Sequence, residues 1–280
     1  MTKIIACLDG SSLSSAVEDT ACWAAQSLNA PLAFLHVIDQ PEQATSSELS
    51  GQIGLGSREQ LLNQLVILDE QRNKLAVKHG KLLLEDAQKK ALQLGLIDPQ
   101  RLLLHGSLLS TLDELSDELR LLVIGKSGNE HQNMQHTIGS QLESVVRSVQ
   151  AHILVATNCF TVPAEYLLAY DGSAIGQKLI EKAIKTPLLK GMTCHLVTVD
   201  KQRSDGFVQA SQRLQAAGIE VIEQVLQGEV HSTLLNYQQE KQIELIVMGA
   251  YGHSQWRQFF VGSNTTKIMA DSEAALLLIR

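Results

Sequence analysis

Residues 167–173 read Leu167-Leu168-Ala169-Tyr170-Asp171-Gly172-Ser173, and the same form stands near the amino terminus as Ile4-Ile5-Ala6-Cys7-Leu8-Asp9-Gly10-Ser11. An apolar run without polar alternation is the mark of a strand covered on both faces, as in a parallel sheet. Each copy leads into a stretch of helical period. Ala16, Val17, Ala21, Ala24, Ala25 and Leu28 share one face in the first, and Ile175, Leu179, Ile180, Ala183 and Ile184 share one in the second.

The order of elements continues in step. Apolar runs ending in aspartate follow at Leu32 to Asp39 and Cys194 to Asp200, then strand patterns at Arg101 to Gly106 and Val221 to Gly228. Leu121-Leu122-Val123-Ile124-Gly125 is matched by Ile243 to Met248 and then Gly249, and each half closes on a short strand, His152 to Ala156 and Ala274 to Ile279. Strands alternating with helices, twice over, predict an α/β protein of two tandem five-stranded, parallel, Rossmann-like domains. The boundary is expected in Thr157 to Pro163, which has neither period, giving domains 1–157 and 158–280. The two sheets are expected to pack as a pseudo-twofold pair, with further homo-oligomers left open.

The halves differ by an insertion at about residues 40–80, which only the first carries. Gly51, Gly54 and Gly56 lie in it, but no strand precedes them and their spacing misses the dinucleotide fingerprint, so a loop is expected. Ser57-Arg58-Glu59-Gln60 resembles a capping box. It opens a helical region whose stripe of Leu61, Leu62, Leu65, Leu68, Leu75, Leu82 and Leu83 is expected to pack against its own domain, a partner-binding helix being the alternative.

Composition narrows the functional classes. Hydrophobic residues make up 44% of the 280, enough for an ordinary core. No apolar stretch approaches the roughly 20 residues of a membrane helix, and Met1-Thr2-Lys3 runs straight into the first strand. A cytoplasmic protein with no membrane partner is expected. Its four cysteines form no CxxC pair and are read as free thiols, and the scattered histidines suggest no metal site. A net charge of −7, carried almost wholly by the first half, argues against a nucleic-acid partner.

The chemistry-bearing motif lies at residues 249–263, GAYGHSQWRQFFVGS: Gly249, two residues, Gly252, nine residues, then Gly262-Ser263. Glycines between a strand's carboxyl end and a helix let backbone N–H groups converge on an anion, and the helix start adds unpaired donors. His253, Trp256 and Arg257 lie inside this loop. The first half carries Gly125, Gly128 and Gly139-Ser140, with ten residues in place of nine and a carboxylate, Glu130, within the loop. The second motif is therefore expected to be the stronger site.

With Asp-Gly-Ser after the first strand and G-x2-G-x9-G-S after the fourth, the chain resembles the universal stress protein family in its tandem two-domain form. The resemblance covers the chain once per half. One branch of that family binds ATP or related adenine nucleotides, with or without Mg2+. Carried over, the resemblance implies that Ala169 and Asp171 flank the base and Val199 offers its backbone to the adenine edge. Met248 and Gly249 would then line the ribose, and Gly252, Gly262, Ser263 and Asn264 would take the phosphates. The corresponding first-half residues are Asp9, Val37, Gly125, Gly128, Gly139 and Ser140.

Neither a P-loop nor a nucleophile elbow is present, so no catalytic residue is assigned. Three classes stay open: a non-enzymatic stress-response protein that senses or stores an adenine nucleotide, a slow ATP hydrolase on the same fold, and a ligand-free interaction scaffold.

Overall fold

The computed structural model describes residues 2–39, 55–126, 140–200, 202–249 and 263–280, with the backbone alone for 55–63, 140, 175 and 263–265. The first half runs β1 (Lys3–Cys7), α1 (Ser14–Leu28), β2 (Leu32–Ile38), α2 (Leu55–Gln93), β3 (Gln100–His105), α3 (Leu108–Glu114), β4 (Leu119–Gly125), α4 (Ser140–Ser148) and β5 (His152–Ala156). Its counterpart runs β6 (Glu165–Ala169), α5 (Ala174–Lys185), β7 (Thr193–Val199), α6 (Asp205–Ala216), β8 (Val221–Leu226), α7 (Val230–Lys241), β9 (Leu245–Gly249), α8 (Ser263–Asp271) and β10 (Ala275–Ile279).

The strands form one ten-stranded sheet in the order β3-β2-β1-β4-β5-β10-β9-β6-β7-β8. Within each half every pairing is parallel. The halves meet edge to edge through antiparallel β5 and β10, with Leu276 opposite Val155, Leu277 opposite Leu154 and Leu278 opposite Ile153. The pseudo-twofold pair thus shares a sheet instead of stacking two. The reason lies in the edge strands: β5 and β10 are apolar on both faces, and an unpaired apolar edge is an aggregation hazard that mutual pairing removes. Ile153, Leu154, Val155, Leu276 and Leu278 are fully buried.

Helices cover both faces. On one, α1, α2, α5 and α6 pack over Ile4, Ala6, Phe34, Tyr166 and Leu168; on the other, α3, α4, α7 and α8 pack over Ile5, Leu35, Leu122, Leu167 and Ile246. Each core draws on both halves. Trp23 of α1 meets Phe160, beyond β5, with ring centroids 5.5 Å apart. Small side chains bring α1 close: Ala21, Ala24 and Ala25 are buried in its sheet-facing side, and Asn29 ends it in the left-handed conformation at φ 45°.

The inserted helix departs from expectation twice. α2 is continuous from Leu55 to Gln93, 39 residues, so Ser57 lies inside it and is not its cap. At about 1.5 Å per residue it spans about 58 Å. Its carboxyl-terminal half lies on β2 and β3, burying Leu84, Ala87 and Ala91. Gly80 makes the closest approach, since a Cβ there would lie 2.7 Å from both the His36 ring and a Leu103 methyl. Of the leucine stripe only Leu83 packs on the core of its own domain among the described side chains. Leu65, Leu68, Leu75 and Leu82 remain about half exposed or more, because the helical repeat puts them on a different side of α2 from Gly80, Leu84, Ala87 and Ala91.

Candidate functional site

In both halves the chain leaves the central strand in one direction and returns to its other side, which makes a topological switch point. In the second half β6 lies between β7 and β9, and in the first β1 lies between β2 and β4. Open α/β sheets bind ligands at the carboxyl ends of the strands flanking such a point. Because β5 and β10 are antiparallel, the two crevices open at opposite edges of the shared sheet.

The second crevice is built from short local devices. Tyr170 leaves β6 by donating its N–H to the Val197 oxygen at 2.8 Å, and Gly172 then turns at φ 73°. Asp171 Oδ1 accepts from the Ser173 N–H at 3.0 Å, and Ser173 Oγ accepts from Gly176 N–H at 3.0 Å as the cap of α5. This places the Asp171 carboxylate at the surface beside half-buried Ala169. A Cβ at Gly176 would lie 2.6 Å from Asp171 Oδ1, so glycine leaves that oxygen its room. Tyr170 underlies the turn, its hydroxyl donating to the Gly206 oxygen at 3.2 Å. Burial, and then the Asp171 carboxylate, push its pKa up and keep it protonated.

Val199 ends β7 and Gly249 ends β9, both half-buried, while Met248 is buried beneath. Ala169, Asp171, Val199, Met248 and Gly249 therefore stand at the carboxyl ends of three adjacent strands. Ser263 opens α8 and Asn264 follows it, by backbone. Gly252 and Gly262, with His253, Trp256 and Arg257, lie outside the described residues.

The first crevice repeats the turn. Asp9 Oδ1 accepts from the Ser11 N–H at 2.9 Å and from Ser14 Oγ at 3.4 Å, and Gly10 takes φ 75°. Val37 lies near the end of β2, Gly125 ends β4 against Leu13 and Val17, and Ser140 opens α4 by backbone. Gly128 and Gly139 lie outside the described residues.

Here α2 adds groups that the repeat pattern does not contain. A cavity of ≈ 220 Å³ lies between the end of β2 (His36 to Asp39) and Arg72, Asn73, Ala76 and His79 of α2. His79 leans over the turn, its ring 2.7 Å from where a Gly10 Cβ would stand. His36 faces it at 6.3 Å between centroids and is held by Nδ1 against the Leu8 oxygen at 2.6 Å. Since a carbonyl only accepts, Nδ1 carries the proton, and the other edge of the ring lies against Gly80 of α2. Nothing in the spacing around Val37 signals these residues, because they lie more than thirty positions on, inside the insertion.

Beyond β4, Lys126 reaches into the other half, donating from Nζ to the Ser272 oxygen at 3.0 Å. Burial lowers its pKa, opposed by the Asp271 and Glu273 carboxylates. Cys7, just before Asp9, has its thiol pushed up to about 12 by burial and then by that carboxylate, so it is no thiolate nucleophile. His195 is tied between the Tyr237 hydroxyl at 2.8 Å and Glu165 at 3.0 Å, and Glu165 starts β6, so this triad sits away from the crevice. Among the described residues no group of His, Cys, Asp and Glu is arranged to hold a metal ion, and no helix is long and apolar enough to cross a membrane.

Comparison with known proteins agrees with this architecture. Residues 1–157 and 200–280 match the universal stress protein family. The chain is 32% identical over 287 residues to the universal stress protein Slr1230 of Synechocystis, covering all of both chains. In fold it is similar to a universal stress protein of Archaeoglobus fulgidus, with a TM-score of 0.69 at 15% identity over 99% of this chain and 98% of that one. A putative universal stress protein of Pseudomonas aeruginosa gives 0.65 at 13% identity over 100% and 93%. With full-length identity to one such protein and the family's pattern matched in both halves, the chain belongs to the universal stress protein family.

Proposed function

We propose that this protein is a stress-response regulator that binds an adenine nucleotide in the crevice between β6 and β9. The observation that carries the reading is the convergence of Asp171, the Val199 backbone and Gly249 on one switch point. The residues fit such a ligand. Asp171 commits Oδ1 to its own turn, leaving Oδ2 to accept from an exocyclic amine. The backbone at the end of β7 supplies an amide to a base edge, and the start of α8 supplies N–H donors and a positive dipole end for phosphate. Gly252, Gly262, Ser263 and Asn264 are proposed for that phosphate role on sequence alone, and Mg2+ would be held chiefly by the phosphates and water.

Binding rather than turnover is the proposed task, and signalling would come from the change in surface on binding. The first crevice is proposed as the weaker site, because α2 places His79 directly over the Gly10 turn. Residues 1–157 and 158–280 are proposed as the two units, acting in the cytoplasm without nucleic acid.

Mass spectrometry of the freshly purified, denatured protein tests the reading: retained ATP, ADP or AMP is expected. Incubation with ATP and Mg2+ should give no more than about one product per site. Sustained multiple turnover would assign the crevice to a hydrolase, and absence of nucleotide together with no binding on titration would leave a scaffold.

A further inference from the structure

The inserted helix carries an arrangement that the nucleotide reading does not use. Leu61, Leu68, Leu75 and Leu82 recur at every seventh residue. Leu68, Leu75 and Leu82 are 59%, 68% and 50% exposed, and Leu65, three residues before Leu68, is 48% exposed. In a heptad written a to g, the repeating leucines take d, and Leu65, Arg72 and His79 take a. A seam with leucine at every d is the pattern by which one helix pairs with another. The groove along this face is lined, among the described residues, by Leu68, Gln71, Arg72, Leu75, Ala76 and His79. Those are positions d, g, a, d, e and a, the set that forms the holes for a facing helix's knobs.

We infer that α2 pairs with α2 of a second copy of this chain, forming a homodimer through the Leu65–Leu82 seam. A second copy is the occupant because the seam run antiparallel complements itself: Leu65, Arg72 and His79 at a each meet a leucine at d, as a twofold interface requires. Charge permits it. Although the chain is net acidic, the stretch around the seam mixes Asp69 and Glu70 with Arg72, Lys74 and Lys78, so no single-sign field repels a copy. Orientation follows from the two polar a positions. Parallel pairing sets Arg72 against Arg72 and His79 against His79. An antiparallel register centred between Asn73 and Lys74 sets Leu65 against Leu82, Leu68 against His79 and Arg72 against Leu75, which separates the like charges. The pairing lies away from β6 and β9 and does not depend on nucleotide.

Sedimentation velocity on the full chain over a micromolar concentration series, with and without ATP, tests this. A dimer is expected in both conditions, and Leu68→Glu/Leu75→Glu should sediment as a monomer with an unchanged far-ultraviolet circular dichroism spectrum. Arg72→Leu, which completes the seam, should tighten the dimer by about tenfold or more. A wild-type monomer throughout, a dimer indifferent to the paired glutamates, or an Arg72→Leu dimer no tighter than wild type would each overturn the inference. Loss of nucleotide binding with the dimer intact would count against the functional proposal alone.

Discussion

The backbone N–H of Arg280, the last residue of the chain, donates to Nδ1 of His152, the first residue of β5, at 3.0 Å. The bond closes the end of the antiparallel seam that joins the halves, and it requires His152 to be neutral at Nδ1, since a protonated nitrogen cannot accept. Burial, then Lys182, lower the His152 pKa from its usual 6.5.

This gives a pH dependence of defined sign. Below pH 6.5 the unfolded chain binds a proton at His152 that the folded chain refuses, so stability falls as pH drops from there toward the lowered folded value. His152→Asn keeps an acceptor without titrating. Urea unfolding of the two proteins at neutral and mildly acid pH should show wild type losing about 1–2 kcal/mol more than the variant on acidification. Equal losses would show that the bond does not govern the seam.

Gly80 is where α2 lies tightest on the sheet. A methyl there must displace the His36 ring and Leu103, so Gly80→Ala should destabilise by about 1–3 kcal/mol despite its gain in helix propensity. Thermal unfolding checks this; a raised midpoint would mean that α2 sits further from β2 and β3 than described.

The thiols should divide sharply. Cys159 is exposed, whereas burial pushes Cys7, Cys22 and Cys194 up to about 12. A thiol-specific chromogenic reagent at neutral pH should therefore titrate Cys159 quickly, half-buried Cys7 slowly, and Cys22 and Cys194 only after denaturant is added. Fast reaction of more than one would contradict the packing around β1, α1 or β7.

The alternation of strands and helices was readable because buried parallel strands are nearly pure apolar runs: Ile4 to Leu8 and Leu167 to Tyr170 leave little else to assign. How the halves meet was not readable. The runs His152 to Ala156 and Ala275 to Ile279 are apolar on both faces, which suits an edge-to-edge partner as well as a stacked one. α2 misled through local signals: Ser57 has the chemistry of a cap but lies within the helix, and a leucine stripe shows that a face is apolar without showing what covers it. Asp171, Val199 and Gly249 were nominated by the family resemblance; the strand order sets the ends of their three strands side by side, which no local pattern encodes. Arg72 and His79 approach Val37 and Gly10 only through the path of the insertion, which no short-range pattern encodes.

The central proposal is a single strong adenine-nucleotide site in the second half, with Asp171 at the base and the Gly252 to Ser263 loop at the phosphates. Isothermal titration of nucleotide-stripped protein with ATP measures it directly. Wild type should bind with Asp171→Ala weakened by about tenfold or more and Gly262→Val abolishing the tight phase, while Asp9→Ala leaves that phase in place. Tight binding that survives both second-half substitutions, or that disappears with Asp9→Ala alone, would contradict the account.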